Sequence, residues 1–411
     1  MSKLISIIKS DITFSPYKFY SDFLDAVSKY YSNESTIPCF KIVENGDEEI
    51  YNSNYRIDPI TIPLLLSLFE QLQKFHKSPI ELLLYNNRAT IKLLDFLYGS
   101  DFFYLCGDNM NPTYPKGRKI MSFNDGFIGN LEGKNQRSEH KVRAYSLDDD
   151  NLTVLLAGFE SEEQKRDFLI SHYTYKVREH FEELLFENQF TLSYHNTYID
   201  ILSELITNGV LHSKSQTFAL MFVDRFKTKF SISDNGIGFE ASMEIKDPTF
   251  YYTYNDLRSI LINRKRLANI SDKILDNLYS IFETLYYSSI KERKGLFDLM
   301  INVVLNSKGY FRLHTENCQV IISNRMMDEL NDLEINRKEI YELHNRYLLK
   351  LIDDSYYKNN LINLSIHMKT SFVKFFDKAI DKYNNDIKFS SLRFYKVKFR
   401  GVHIEVEIPN L

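Results

Sequence analysis

Apolar and polar positions along the chain follow two periods. Ile60 to Phe75 (ITIPLLLSLFEQLQKF) has apolar residues at helical spacing, and Ala89 to Tyr98 predicts a second helix. Ile80 to Tyr85 and Phe102 to Cys106 are short apolar runs that predict strands. This αβαβ order predicts a small mixed sheet carrying helices. Residues 107 to 150 hold Pro112, Pro115, Gly117, Gly126, Gly129 and Gly133 among many charges, which predicts loops, hairpins and a domain edge. Tyr173 to Phe190 predicts a charged connector helix, and His195 to His212 another. Thr217 to Val223 and Lys227 to Ser233 predict two strands joined by a short polar turn. Helices are predicted around Asp256 to Ala268, at Gly295 to Asn306, at Arg337 to Ile352 and at Phe372 to Tyr383. Strands are predicted at Tyr310 to His314 and Gln319 to Ile322. The last segment, Val402 to Ile408, alternates cleanly, with Val402, Ile404, Val406 and Ile408 on one face. His403, Glu405 and Glu407 fall on the other, which predicts a half-buried strand with one solvated face.

Composition narrows this picture. The 411 residues suggest two or three domains, and 44% hydrophobic residues suffice for a sizeable core. Only 14 residues are glycine, about half the usual share, so each glycine beside polar residues draws notice. The net charge of −4 gives no basic excess of the kind that marks a nucleic-acid partner. The longest apolar runs, such as Ile62 to Leu68, fall far short of a membrane span, and the first residues lack the pattern of a signal peptide. Cys39, Cys106 and Cys318 are odd in number and far apart, which fits free thiols in a reducing compartment. A cytoplasmic location is expected.

Candidate chemistry lies in three segments. In YHNTYIDILSELITNGVLHSKS, Ile199, Leu202, Ile206 and Val210 form an apolar stripe. Glu204, Asn208 and His212 recur at steps of four, so they stand nearly above one another on a helix. Asn208 can offer its side-chain oxygen to Mg²⁺, Glu204 can orient or deprotonate a water, and His212 and Ser213 can donate to phosphate oxygens. The same stripe also suits an ordinary solvated helix face. Next, strand KFSIS runs into Asp234-Asn235-Gly236-Ile237-Gly238. A strand-end carboxylate can accept a hydrogen bond from the exocyclic amine of a base, and glycines let backbone approach a flat ligand. Ordinary turn chemistry explains the same residues. Third, Gly295 precedes a helix whose first N–H groups can face an anion, with Lys291, Arg293 and Lys294 just upstream. A basic loop at a helix start is the plain alternative. His140, His172 and His180 are read as structural.

The order of these segments resembles the GHKL ATP-binding family of gyrase, Hsp90, MutL and histidine kinases, over about residues 174 to 322. The resemblance implies a Bergerat α/β sandwich that binds ATP and Mg²⁺. It implies that Asn208 chelates Mg²⁺ and that Glu204 is the catalytic glutamate. Asp234 would bind the adenine amino group, with Gly236 and Gly238 beside the base. Lys294, Gly295 and Leu296 would sit at the phosphates. Where family members often show GxGL, Lys294-Gly295-Leu296 keeps one glycine. The N-terminal region is similar to the STAS fold of anti-anti-sigma factors, with Thr61 near the place of the usual acceptor serine.

The expected fold class is therefore α+β or α/β. The expected organisation is an N-terminal α/β domain (1–150) and a connector helix (151–190). A GHKL core (191–323) with a long lid (240–292), a helical insertion (324–387) and terminal strands completing the sheet (388–411) follow. The expected activity is ATP hydrolysis or phosphoryl transfer to a protein partner in intracellular signalling. The alternative is a non-catalytic switch or adaptor that binds ATP and a protein partner. Neither nucleic acid nor membrane is an expected partner.

Overall fold

Four short strands with buried apolar residues begin the chain: β1 (Leu4–Ile8), β2 (Cys39–Val43), β3 (Ile80–Leu83) and β4 (Met121–Phe123). The computed structural model describes residues 4–45, 55–124, 139–188, 194–213, 215–264, 267, 270–384 and 390–410, with backbone alone for His212 and Ser213. The strands pair in chain order and all run parallel, with Leu4 beside Cys39, Phe40 beside Leu82 and Ile80 beside Met121. Parallel neighbours need crossover connections. Here these contain α1 (Leu24–Asn33), α2 (Ile62–His76) and α3 (Ile91–Gly99). The sheet is thus parallel rather than mixed. Phe102–Cys106, expected as a strand, is a short helix, α4. All five of its residues are buried, and a short run that is apolar on every side has no period to separate strand from helix.

The expected boundary at residue 150 is not where the chain divides. Contacts group residues up to Asn235 with Asn410 in one unit, and Gly236 to Pro409 in a second. The physical reason is α2. Ten of its fifteen residues are buried, from Ile62 round to Leu72, because a helix apolar on all sides needs cover on all sides. It contacts β3 and also a second, antiparallel sheet of the same unit, made of β5 (His140–Tyr145), β6 (Thr217–Val223) and β7 (Lys227–Asp234). All seven residues of β6 are buried, so both faces of this sheet are covered. Polar bonds join α2 and the turn before it to β7. Lys229 Nζ lies 2.9 Å from Asp58, Ser231 Oγ donates to Ile60 O at 2.8 Å, and Ser233 Oγ lies 2.6 Å from Ser67 Oγ. Thr61 is fully buried and donates to Phe14 O, which removes it as an accessible acceptor.

Two further helices complete this unit. α5 (Glu162–Glu187) starts at a capping box formed by Ser161 and Gln164, eleven residues before the expected start. It buries Leu169, Tyr173, Val177, Phe181 and Leu184 and lies along α6 (His195–Ser213), so it is a packed layer rather than a bare connector.

In the second unit, strands expected at 310–314 and 319–322 form one strand, β8 (Tyr310–Ser323), irregular around Glu316. It pairs antiparallel with β9 (Leu392–Pro409). The expected solvated face of β9 is not solvated. His403 and Glu405 are 1% and 3% exposed, with His403 opposite His314 and Glu405 bonded to Arg312 at 2.7 Å. Around the pair lie α7 (Gly238–Glu244), α8 (Arg258–Ile262), α9 (Asp272–Ile290), α10 (Leu296–Ile301), α11 (Met327–Leu348) and α12 (Asp354–Asp381). The helix expected over Asp256 to Ala268 is the five-residue α8. The cysteines are free and buried, and no described helix is long and apolar enough to cross a membrane.

Candidate functional site

The helix that carries Glu204 and Asn208 is fixed by its neighbours. Ile199, Leu202, Ile206 and Val210 are all buried, as their spacing predicts. Ser203 and Thr207 are buried too, and their hydroxyls bond back to the carbonyls of Ile199 and Ser203 at 2.7 and 2.8 Å. Gly209 faces β6. A Cβ built on it would lie 2.7 Å from Thr217 Cγ2 and 2.8 Å from Thr217 Oγ1, so only glycine permits this approach. Thr217 in turn pairs across the ladder with Asp234. The polar ledge of α6 is thereby held against the strand pair that ends in Asp234, itself 5% exposed.

On that ledge, Asn208 Nδ2 lies 3.4 Å from Glu204 Oε1. Glu204 also makes an ion pair with Arg166 of α5. Both Glu204 and Asn208 are half-buried. With the amide nitrogen of Asn208 turned to Glu204, the acceptor it offers a cation is its Oδ1. A neutral oxygen ligand beside a carboxylate suits a hard ion such as Mg²⁺ whose other ligands come from phosphates and water. Among the described residues, no group of three or more His, Cys, Asp or Glu side chains could hold a metal ion. His212 and Ser213 end α6, and their side chains lie outside the described residues.

Asn235, next to Asp234, is pinned by residues that the sequence reading did not single out. Gln71 Nε2 donates to its Oδ1 at 2.6 Å, and its Nδ2 reaches Ser67 O at 3.0 Å and the Glu70 carboxylate. Its backbone N–H donates to Ser215 Oγ at 3.2 Å. The available signal was Ser67 and Glu70 among the apolar residues Ile62 to Leu72, since a buried carboxylate requires partners.

The second unit holds the remaining expected residues. Gly236 is buried, and its carbonyl accepts from Arg400 Nε at 3.3 Å. Gly238 opens α7 with φ of +77°, a left-handed backbone that favours glycine. The last part of the expected lid, α9, is largely core. Thirteen of the nineteen residues of α9 are buried. Its Glu283, 1% exposed, accepts from Tyr252 Oη at 2.8 Å and from the N–H groups of Asp256, Leu257 and Arg258. Burial raises the Glu283 carboxyl above its ordinary range, and these hydrogen bonds oppose the rise. Segment 252–258 is thus fastened at a buried carboxylate.

The start of α10 differs from the expected phosphate cradle. Gly295 N–H donates to Asp298 Oδ2 at 3.0 Å, and Phe297 N–H donates to Ser288 Oγ at 3.0 Å. Two of the N–H groups that would face an anion are therefore engaged within the chain, one of them by a carboxylate. A Cβ on Gly295 would come 2.8 Å from Ser288 Oγ, which accounts for the glycine without a ligand. Leu296 is a core residue, and Lys294 Nζ stands 5.8 Å from the Tyr341 ring centroid.

His180 and His140, read as structural, are both packed against aromatic side chains. Burial, followed by Arg143 and Lys176 nearby, holds His180 down to about 3, and it shares a 3.0 Å hydrogen bond with Tyr145 Oη. His140 is buried and stacked on Phe96. No protein-family model matches this chain, and neither the curated proteins nor the solved structures gave a match.

Proposed function

We propose that this chain binds ATP with Mg²⁺ in the manner of GHKL proteins, which it resembles in motif order. The observation that carries the reading is the Gly209–Thr217 approach, because it holds the Glu204–Asn208 ledge against the strand that ends at Asp234. On this reading Asp234 receives the amino group of the base, and Asn208 Oδ1 is a ligand to Mg²⁺. The ion, when bound, neutralises charge on the phosphates. Glu204 accepts a proton from the attacking water, or from a protein hydroxyl where the phosphoryl group passes to a partner. Such a partner is part of the proposal, as is a signalling role inside the cell.

A second reading is a nucleotide-gated switch or adaptor that binds ATP and a protein partner without turnover. The Arg166–Glu204 ion pair favours it, because the carboxylate is engaged by a guanidinium rather than free to take a proton from water. So do the engaged N–H groups of Gly295 and Phe297.

One titration series separates these readings. Wild type should bind labelled ATP in the presence of Mg²⁺, Asp234→Asn should weaken binding at least about tenfold, and Asn208→Ala should lose most of the Mg²⁺ dependence. Phosphate release or protein labelling that collapses in Glu204→Ala, with binding retained, selects the enzyme. Binding with no release in wild type selects the switch. No binding by wild type ends both.

A further inference from the structure

The two faces of β7 meet different helices. On one face, Ser231 and Ser233 bond to Ile60 O, in the turn before α2, and to Ser67 Oγ of α2. By alternation Asp234 lies on the other face, with its ladder partner Thr217, which packs against Gly209 of α6. The chain crosses back at the next residue, where the Asn235 side chain turns to α2. Ser67, Glu70 and Gln71 stand at steps of three and four on one face of that helix, and all three bond the same carboxamide. The backbone N–H of Asn235 is held as well, by Ser215 Oγ. The residue after Asp234 is thus fixed through both its side chain and its main chain.

Glu70 is the costly member of this grip. It is 1% exposed, and its charge is met by Lys74 Nζ at 2.8 Å, one turn on. A buried ion pair adds little stability over apolar residues of similar volume, so stability alone gives no reason for a carboxylate here. What the carboxylate does is hold the amide beside Asp234, by a charge-assisted hydrogen bond. We infer that Glu70 is a positioning residue for base selectivity. Acting through Asn235, it locks the end of β7 so that the Asp234 carboxylate keeps one direction toward the base. The inference rests on the nucleotide reading above. It adds that selectivity is set from α2, a helix well before the segments that resemble the family.

The test compares binding of ATP, with Mg²⁺, and of inosine triphosphate, which carries a ring carbonyl where adenine has its amino group. A carboxylate has no proton to give that carbonyl, so the full-length wild type should favour ATP at least about tenfold. Glu70→Met fills similar space without an acceptor. It should bring the ratio to within about threefold of unity by weakening ATP alone, with inosine triphosphate binding changed less than about twofold. Glu70→Gln, which keeps an oxygen for Asn235, should recover most of the selectivity. A merely structural role would weaken both nucleotides alike. Gln71→Ala removes one bond to Asn235 from a half-buried position, and serves where Glu70→Met does not fold. It should lower the ratio about threefold. A wild type that binds neither nucleotide or shows no preference, or a preference unchanged in Asp234→Asn, ends the nucleotide reading and this inference with it. A preference lost in Asp234→Asn but kept in Glu70→Met or, where that variant does not fold, in Gln71→Ala overturns the inference alone.

Discussion

Gly209 of α6 and Thr217 of β6 approach so closely that one added methyl group on the glycine would overlap the threonine side chain, at 2.7 Å from its Cγ2. Glycine inside a helix costs about 1 kcal/mol relative to alanine. Here it allows helix and strand to close, and Thr217 is fully buried with little room to yield. Gly209→Ala should therefore destabilise the protein by about 1–3 kcal/mol despite the better helix propensity. Thr217→Ala in the same chain should recover much of that loss, because it removes both clashing atoms. Urea unfolding of the two single variants and the double gives the coupling directly. Additive costs would show that the contact does not limit the approach.

The first unit was partly legible without the structure. The stripe of α6 repeats a helical period, and β7 alternates at Phe230 and Ile232, so both were readable from sequence. The rest depended on distant partners. Glu405 is buried because Arg312 stands opposite it in the ladder, and no local pattern announces a pair 93 residues apart. Residues 107–150 looked like loops, yet β5 belongs to the sheet of β6 because its mate lies some 80 positions on. Of the candidate site, Glu204 and Asn208 meet as their helical spacing required, since that relation is local. The hold of Glu70 on Asn235 was missed because it joins two distant segments. Around Gly295, the approach of Ser288 Oγ to within 2.8 Å of where a Cβ would stand joins two segments and was not visible in the sequence.

Buried histidines, among them His140, His314 and His403, make stability depend on pH. Burial holds His140 and His403 down to about 3, and holds His314 well below its ordinary value. In the unfolded chain each returns to about 6.5. Between those values the unfolded state binds more protons, so stability is full above about pH 6.5 and falls as pH drops toward 3. His140 and His403 should each cost about 2 kcal/mol by pH 5. The urea midpoint should be nearly level from pH 8 to 7 and then decline. His403 is stacked on Phe399 with ring centroids 4.4 Å apart, so His403→Phe keeps the shape and removes one titrating group. The decline in that variant should be shallower by about one proton's worth, and an unchanged slope would assign the acid loss to other groups.

The loop before Gly295 is shaped from beneath by Arg337 of α11, which is 4% exposed. Its guanidinium reaches both carboxylate oxygens of Asp298, at 2.9 and 3.0 Å, and donates to the carbonyls of Ser289, Lys291 and Arg293. Asp298 in turn caps Gly295 N–H, so one cation orders the loop and the start of α10 together. Arg337→Met keeps the apolar stem but leaves a partly buried carboxylate and three carbonyls without their donor. The cost should be about 3–5 kcal/mol, because breaking a buried pair strands the surviving charge. Arg337→Lys should recover little, since an ammonium cannot span the carboxylate and the carbonyls at once. Adding Asp298→Asn to Arg337→Met should cost less than its effect in the wild-type background, as the stranded charge is removed while an oxygen remains to cap Gly295. Denaturant unfolding measures the three costs, and amide exchange at 291–297 reports whether the loop loosens. A loss under about 1 kcal/mol for Arg337→Met, with unchanged exchange, would mean that the loop is ordered by other contacts.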